Sequence, residues 1–360
     1  MRASATHPGV QLTTLLDLGW RPYDNDARVP LSFLPLRPAR VMQQGRNAWH
    51  VHDGTSEVVA RGHSRPLDTV PVTGDWVLIS GDEQTSCYVE AVLRRRTTLS
   101  RTVAGRRSVE QVIAANVDLV AICSPANDVN PRRLERELTA VWESGATPIV
   151  IVTKADTVAD AATVVLDARV TCVGVDVVAV SSVSGDGLDD VHARLADGQT
   201  LALIGPSGVG KSSLVNALAG AEVLATAETR SDGKGRHTTT SRHLIHLPAG
   251  GLLLDTPGMR EFAPWLGEDG LSSTFGDVEQ IATDCRFADC AHDSEPGCAV
   301  LIAAASDEAV GLRLESWRRL MREQAWLERR HDARLMAEER RKWANISKTQ
   351  RAHYRGRTTT

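Results

Sequence analysis

The stretch from Leu201 to Leu218 constrains this 360-residue chain more than any other. An apolar run, Leu201 to Ile204, enters Gly205-Pro206-Ser207-Gly208-Val209-Gly210-Lys211-Ser212, and an amphipathic segment leaves it. Strand, G-x-x-x-x-G-K-S loop and helix follow in that order. Glycines at 205, 208 and 210 let backbone N–H groups curl around phosphate oxygens with no Cβ in the way. Lys211 supplies a point charge for the outer phosphates, Ser212 a hydroxyl for Mg²⁺, and Ser213 continues the turn. The helix starting at Lys211 aims its positive end at the same anion. The residues from Gly205 to Ser213 are the expected cradle of a nucleoside triphosphate.

Asp118 to Cys123 reads as a buried strand, and a second one, Pro148 to Thr153, runs into Lys154-Ala155-Asp156. A strand-end carboxylate at Asp156 suits the N1–H and exocyclic amine of guanine, with the Lys154 stem across the ring. Adenine offers no such donor pair, so a buried Asp156 would reject it. Ser181 and Ser182, at the end of a third strand (Asp176 to Val180), are placed to support the base. Asp255-Thr256-Pro257-Gly258 closes a further strand. Asp255 is expected as an outer-shell Mg²⁺ contact and the Gly258 N–H as a γ-phosphate donor. Between these lies the polar stretch Arg230 to Thr240, from which Thr239 is a candidate to complete the Mg²⁺ shell.

The strands and helices from Gln111 onward alternate, which predicts a doubly wound α/β domain with a mostly parallel sheet. Before it, Ala48 to His52, Val58 to Gly62, Val70 to Ile79 and Cys87 to Leu93 read as short strands without helices between them. Asp53-Gly54 marks a hairpin. This is the pattern of a small β-barrel, an OB-fold or an SH3-like one. Trp49, Trp76 and Tyr88 are its only candidates for stacking on bases. Arg94 to Arg101 is either a phosphate contact or a solvated strand end. A short helix is expected around Leu12 to Leu18.

Cys285-x4-Cys290-x-His292-x5-Cys298 offers three thiolates and an imidazole, a closed tetrahedral zinc set with no place for water. One structural zinc per chain is expected, organising a segment too small for its own core. Cys87, Cys123 and Cys172 are expected as core thiols. From Trp317 to Thr360 the chain carries an excess of eight positive charges, although its net charge is −4. That is either a basic nucleic-acid-binding end or a solvated helix rich in arginine. The helix expected over Leu312 to Lys342 sets its arginines opposite an apolar stripe. No apolar run reaches membrane-spanning length and no leader is evident, so a cytoplasmic protein is expected.

The base-reading loop precedes the phosphate loop, which precedes the D-x-x-G strand; in most guanine-nucleotide switches it comes last. With this order, Gln111 to Asp118, Gly235 to Thr240 and the cysteine cluster, the chain resembles the RsgA (YjeQ/EngC) family of circularly permuted GTPases over nearly its whole length. The resemblance implies five parts. They are an N-terminal extension (1–38), an OB-fold barrel (39–104), a circularly permuted P-loop GTPase domain (105–268), a zinc-binding helical domain (269–345) and a basic tail (346–360). It implies slow GTP hydrolysis stimulated on the 30S ribosomal subunit and coupled to factor release. It also implies contacts with 16S rRNA, GTP and GDP as ligands, and a monomer. Met259 stands where Ras-like switches carry a water-orienting Gln, and the resemblance points to His237 as the residue taking that role. Thr153 departs from the usual Asn that ties the base loop to the phosphate loop, which puts nucleotide affinity in question. Two other readings fit the residues: an RNA-binding protein that uses GTP or GDP only as a sensed ligand, and an ATP-driven enzyme without a ribosomal role.

Overall fold

The computed structural model describes residues 14–21, 36–45, 48–63, 67–81, 86–103, 109–223, 243–255 and 268–325. The chain divides into two compact units, Met1–Arg101 with Gln111–Gln280, and Thr102–Glu110 with Ile281–Thr360.

The first unit begins with a five-stranded barrel of β1 (Arg37–Gln44), β2 (Ala48–His52), β3 (Glu57–Arg61), β4 (Trp76–Ser80) and β5 (Cys87–Val92). Hydrogen bonds run in the order β1-β2-β3-β5-β4, and β4 closes on β1. The β3–β5 pair is parallel, the others antiparallel. That closure is the five-stranded Greek key of an OB-fold, which decides between the two barrels the strand pattern allows. Strand alternation fills the interior with Ala39, Val41, Trp49, Val51, Val58, Ala60, Val77, Ile79 and Val89.

Both tryptophans expected as stacking platforms are buried instead. Trp49 donates its indole N–H to Pro71 O at 2.9 Å, and Trp76 meets Trp20 edge-on at 4.7 Å. Tyr88 stacks on His63. Two arginines of the barrel's basic exit are also committed inward, while Arg94 is exposed. Arg95 grips buried Asp75 with two bonds of 2.8 Å, and Arg96 reaches Asp118 at 2.9 Å. Neither is a free phosphate contact, because a buried carboxylate needs its counter-charge. Around Leu15 to Trp20 the chain forms a hydrogen-bonded turn, not a helix.

A ribbon of β6 (Thr98–Val103) and β7 (Val109–Ala115) follows the barrel. Then come β8 (Leu119–Pro125), α1 (Pro131–Glu143), β9 (Thr147–Thr153), α2 (Ala161–Thr171), β10 (Asp176–Val180), α3 (Leu188–His192), β11 (Thr200–Ile204) and α4 (Lys211–Ala219). The hairpin partners β12 (His243–His246) and β13 (Leu252–Asp255) precede α5 (Glu268–Thr274) and α6 (Gly276–Ala282). The sheet order is β10-β9-β8-β11-β13-β12, with every pair parallel except β12–β13.

Alternate residues of each parallel strand face opposite layers. Val120, Ile122, Val150, Val152, Ala202 and Ile204 pack with Leu134, Leu138 and Val141 of α1. Ala121, Cys123, Ile149, Ile151, Leu201 and Leu203 pack with Leu214, Val215 and Leu218 of α4. Asn130 caps α1 by accepting the Arg133 N–H, and Pro131 takes the first turn, where its missing N–H costs nothing.

The two sheets are joined. Gln43 of β1 pairs with His243 of β12, so barrel and α/β strands form one eleven-stranded sheet. Arg40 of β1 is fully buried at this join. Its guanidinium donates to Asn116 O at 2.9 Å, to Thr200 Oγ1 at 2.8 Å and to Leu18 O, and lies over the Trp76 ring. A charge taken from water is tolerable only when so satisfied.

The second unit holds the cysteine cluster, α7 (Ala299–Ser306) and a helix over 308–325. The remainder of the basic end lies outside the described residues. Cys87, Cys123 and Cys172 are buried, as core thiols should be.

Candidate functional site

The crevice where ligands collect in an α/β sheet lies beyond the carboxyl ends of its strands, and here β11, β8 and β9 end side by side. β11 stops at Ile204 and the chain turns through Gly205, with φ of +133°. A Cβ at Gly205 would lie 2.6 Å from Cys123 O, so only glycine lets the loop pass the end of β8. Gly208 and Gly210 also have positive φ, and Gly210 leads directly into α4. Pro206 and Ser207 form the outer curve, Val209 is buried, and Ser212 and Ser213 lie in the first turn of α4. Lys211 Nζ donates to Gly205 O at 2.6 Å and Pro206 O at 2.7 Å, which lays the ammonium along the concave side of the loop.

β9 delivers the second loop. Thr153 is buried, and its Oγ1 donates to Val209 O at 2.6 Å. Lys154, in a left-handed conformation, donates from Nζ to the neighbouring carbonyl, Gly208 O, at 2.8 Å. Two successive residues of the base loop are thus fastened to two successive carbonyls of the phosphate loop. A threonine hydroxyl makes the tie that the departure from Asn put in question.

Asp156 is exposed, not buried as the sequence argument supposed. Its Oδ1 accepts the Ser181 hydroxyl at 2.6 Å. Ser181 is itself buried, and its Oγ accepts the N–H groups of Val183 and Ser184 at 3.2 Å. The third strand-end loop is thereby nucleated on Ser181 and docked to Asp156. Ser182, partly exposed, follows in the same loop.

Asp255 ends β13 opposite His243 in the ladder. His237, Thr239 and Gly258 lie outside the described residues. Reading the sequence missed the support beneath both loops. Ser124 of β8 is fully buried, and its Oγ accepts from Arg133 Nη2 at 2.8 Å. No motif marks such a residue; only the order of the strands brings it under the site.

In the second unit, Cys285, Cys290, His292 and Cys298 place their ligand atoms within 4.8 Å of one another. Cys285 and Cys298 sulfurs are 3.8 Å apart, and His292 Nδ1 is 3.7 and 3.4 Å from them. Zinc–sulfur bonds of about 2.3 Å in a tetrahedron set sulfurs about 3.8 Å apart, so the donor set fits that ion's size and chemistry. Burial pushes the Cys285 thiol up, but the backbone N–H groups of Val300 and Ala299 outweigh it and hold the thiol below its ordinary value. Cys290 goes the other way, to about 11, through burial and its sulfur neighbours. Additional thiolates here need a cation's charge. The four groups can hold a metal ion.

The loop between the ligands is shaped by Glu295. Its carboxylate accepts the N–H groups of Ala291, Asp293 and Ser294 at 2.8–3.0 Å. With the backbone N–H of Glu295 itself, those bonds hold its carboxyl down at about 2. They support the left-handed turn at His292. The His292 ring lies 5.5 Å from that of Trp317, and its carbonyl accepts from Arg318.

Residues 92–265 match the family model described as RsgA GTPase. The small ribosomal subunit biogenesis GTPase RsgA of Streptomyces avermitilis is 42% identical over 95% of this chain and 92% of its own length. The chain belongs to the RsgA family. Another RsgA, from Listeria innocua, is 44% identical over 80% of this chain and 82% of its own. Among solved structures, YjeQ from Thermotoga maritima superposes with a TM-score of 0.63, at 23% identity, over 81% of this chain and 99% of its own. YloQ, described as a circularly permuted GTPase, gives 0.60 at 25% identity over 83% and 98%. RsgA proteins are GTPases, and the order of loops along this chain is the permuted one.

Proposed function

We propose that the protein binds and hydrolyses GTP in the service of small ribosomal subunit maturation. The observation that carries the nucleotide reading is the pair of ties from Thr153 and Lys154 to Val209 and Gly208. They make base recognition and phosphate binding one surface. Asp156 presents its free oxygen to the guanine N1–H and amine, held in place by Ser181. Ser182 borders the base. The N–H groups of Gly205 to Ser213 and the Lys211 ammonium take the phosphates.

Ser212 and Thr239 would hold Mg²⁺, with Asp255 behind them, and the ion would supply positive charge against that building on the outer phosphates. Gly258 donates to the γ-phosphate. His237 orients the attacking water, with Met259 unable to do so. His237 takes this role only on docking to the ribosomal partner, so hydrolysis without that partner is slow. One zinc in the Cys285, Cys290, His292 and Cys298 set has a structural role, since all four positions are protein ligands.

The named role of the relatives supplies the partner: the 30S subunit, reached through 16S rRNA by the barrel, the cysteine-cluster unit and the basic end. The protein acts in the cytoplasm as a monomer; no described helix is long and apolar enough to cross a membrane. Hydrolysis resets the protein for release, together with other factors. Co-sedimentation with 30S subunits tests this. Retention with a non-hydrolysable GTP analogue and loss with GDP is the expected result. Equal retention in both states favours the reading in which nucleotide is only a sensed ligand.

A further inference from the structure

Helix α1 carries a charged pair whose acidic member the nucleotide site, as described, does not use. Arg133 and Glu137 lie one turn apart, with Arg133 Nε 3.6 Å from Glu137 Oε2. That is too long for a hydrogen bond. Glu137 Oε2 is buried and accepts no hydrogen bond among the described residues. The pair stands at the carboxyl end of β8, because Arg133 Nη2 is anchored on Ser124 Oγ. Ser124 also borders the base loop, its carbonyl 3.3 Å from Thr153 Oγ1.

A buried carboxylate oxygen is costly without a bonded partner. Here it is set among cations without hydrogen-bonding to Arg133. Among the described residues, the charges acting on it are those of Arg133 and Arg136 on its own helix and Lys211 from the start of α4. From β8 it faces Cys123, a thiol pushed up to about 12 by burial and so uncharged. α5 meets α1 farther along, where Thr139 bonds Thr274 and Glu143 accepts the Gly270 N–H. Burial raises the Glu137 carboxyl to about 7 against the pull of those three cations.

We propose that Glu137 is the titrating counter-charge of the phosphate site, a carboxylate that takes up a proton when a nucleoside triphosphate binds. The inference rests on nucleotide occupying Gly205 to Ser213. An arriving γ-phosphate repels the carboxylate and claims the Lys211 charge that favoured it. Both effects favour the protonated acid. Binding linked to proton uptake is strengthened by acid and weakened by alkali across the range where the free site ionises. A diphosphate reaches less far and shifts the carboxyl less.

The test is fluorescence titration of the full chain and of Glu137→Gln with a labelled non-hydrolysable GTP analogue and labelled GDP, from pH 6.0 to 8.5. Protonation of the nucleotide itself is common to both proteins, so the readout is the ratio of their dissociation constants. The ratio of wild-type to variant Kd for the triphosphate analogue should rise with pH, about tenfold for each unit by which binding raises the carboxyl, and rise less for GDP. A second readout needs no variant. Calorimetry of the wild type at pH 7.5, in buffers of different ionisation heat, should report net proton uptake exceeding that on GDP binding. Parallel pH profiles for the two proteins, or equal proton uptake with both nucleotides, overturn the proposal. Failure of the wild type to bind either nucleotide overturns the guanine-nucleotide reading and this proposal together.

Discussion

The hydroxyl of Thr153 donates to the backbone carbonyl of Val209 at 2.6 Å. Both residues are buried, so the bond is made out of water and its loss leaves a carbonyl unsatisfied. It ties the loop proposed to read the base to the loop proposed to hold the phosphates. Thr153→Val keeps the shape and removes the donor. GTP affinity should fall by about tenfold, corresponding to about 1–3 kcal/mol for an unpaired buried group. Thr153→Ser should bind nearly as the wild type does. Isothermal titration of the three proteins checks the order.

The proposed guanine selection rests on Asp156 and the Ser181 hydroxyl that holds it at 2.6 Å. Asp156→Ala should abolish the preference for GTP over ATP in competition binding. Ser181→Ala should reduce it partially, because the carboxylate remains but is no longer aimed. Unchanged selectivity in Asp156→Ala would mean that the base is read elsewhere.

Gly205 combines φ of +133° with a Cβ position 2.6 Å from Cys123 O. Gly205→Ala should therefore displace the phosphate loop from the end of β8. Nucleotide binding should fall by at least tenfold, with loss of stability of about 1–3 kcal/mol from backbone strain. Denaturant melts in parallel with nucleotide titration separate the two effects.

Glu137 also sets a pH dependence of stability. Its carboxyl is raised from 4.5 to about 7 by burial, against Arg133, Lys211 and Arg136. The folded chain thus binds the proton more tightly than the unfolded one. The stabilisation is complete below about 4.5 and is lost as pH rises to about 7. Glu137→Gln removes that loss, so at pH 8 it should exceed the wild type by up to about 3 kcal/mol, and by much less at pH 5. Urea midpoints at the two pH values measure the difference.

Chelation is expected to act on the second unit. If zinc fills the Cys285, Cys290, His292 and Cys298 set, a strong chelator should release about one zinc per chain and lower the melting temperature. Cys298→Ser should mimic this, since Cys298 supplies a ligand and also caps α7 by accepting the Leu301 N–H. Mass spectrometry under native conditions gives the metal count directly.

The order of motifs along the chain, and the residue types within each, were enough to place the loop from Gly205 to Ser213 between strand and helix, the loop from Thr153 to Asp156 at a strand end, and the cysteine cluster as one group. Each is local, with spacing set by one turn of backbone. The α/β strands were legible for the same reason, as unbroken apolar runs such as Pro148 to Val152. What escaped was non-local. β1 lies in a Pro- and Arg-rich stretch whose strand character appears only when it pairs with β2, β4 and β12. Trp49 and Trp76 looked like base platforms because aromatic residues serve both uses, and only burial distinguishes them. Arg95 and Arg96 looked free because their carboxylates, Asp75 and Asp118, lie 20 and 22 residues away. Asp156 was expected inside and is exposed, since it follows the end of its strand in a short turn at the surface.

The most direct test of the central claim is GTP turnover with and without purified 30S subunits. The account predicts slow hydrolysis by the protein alone and a rise of at least tenfold with 30S, with no comparable rise for ATP. An unchanged GTP rate in the presence of 30S, with nucleotide binding intact, would contradict it.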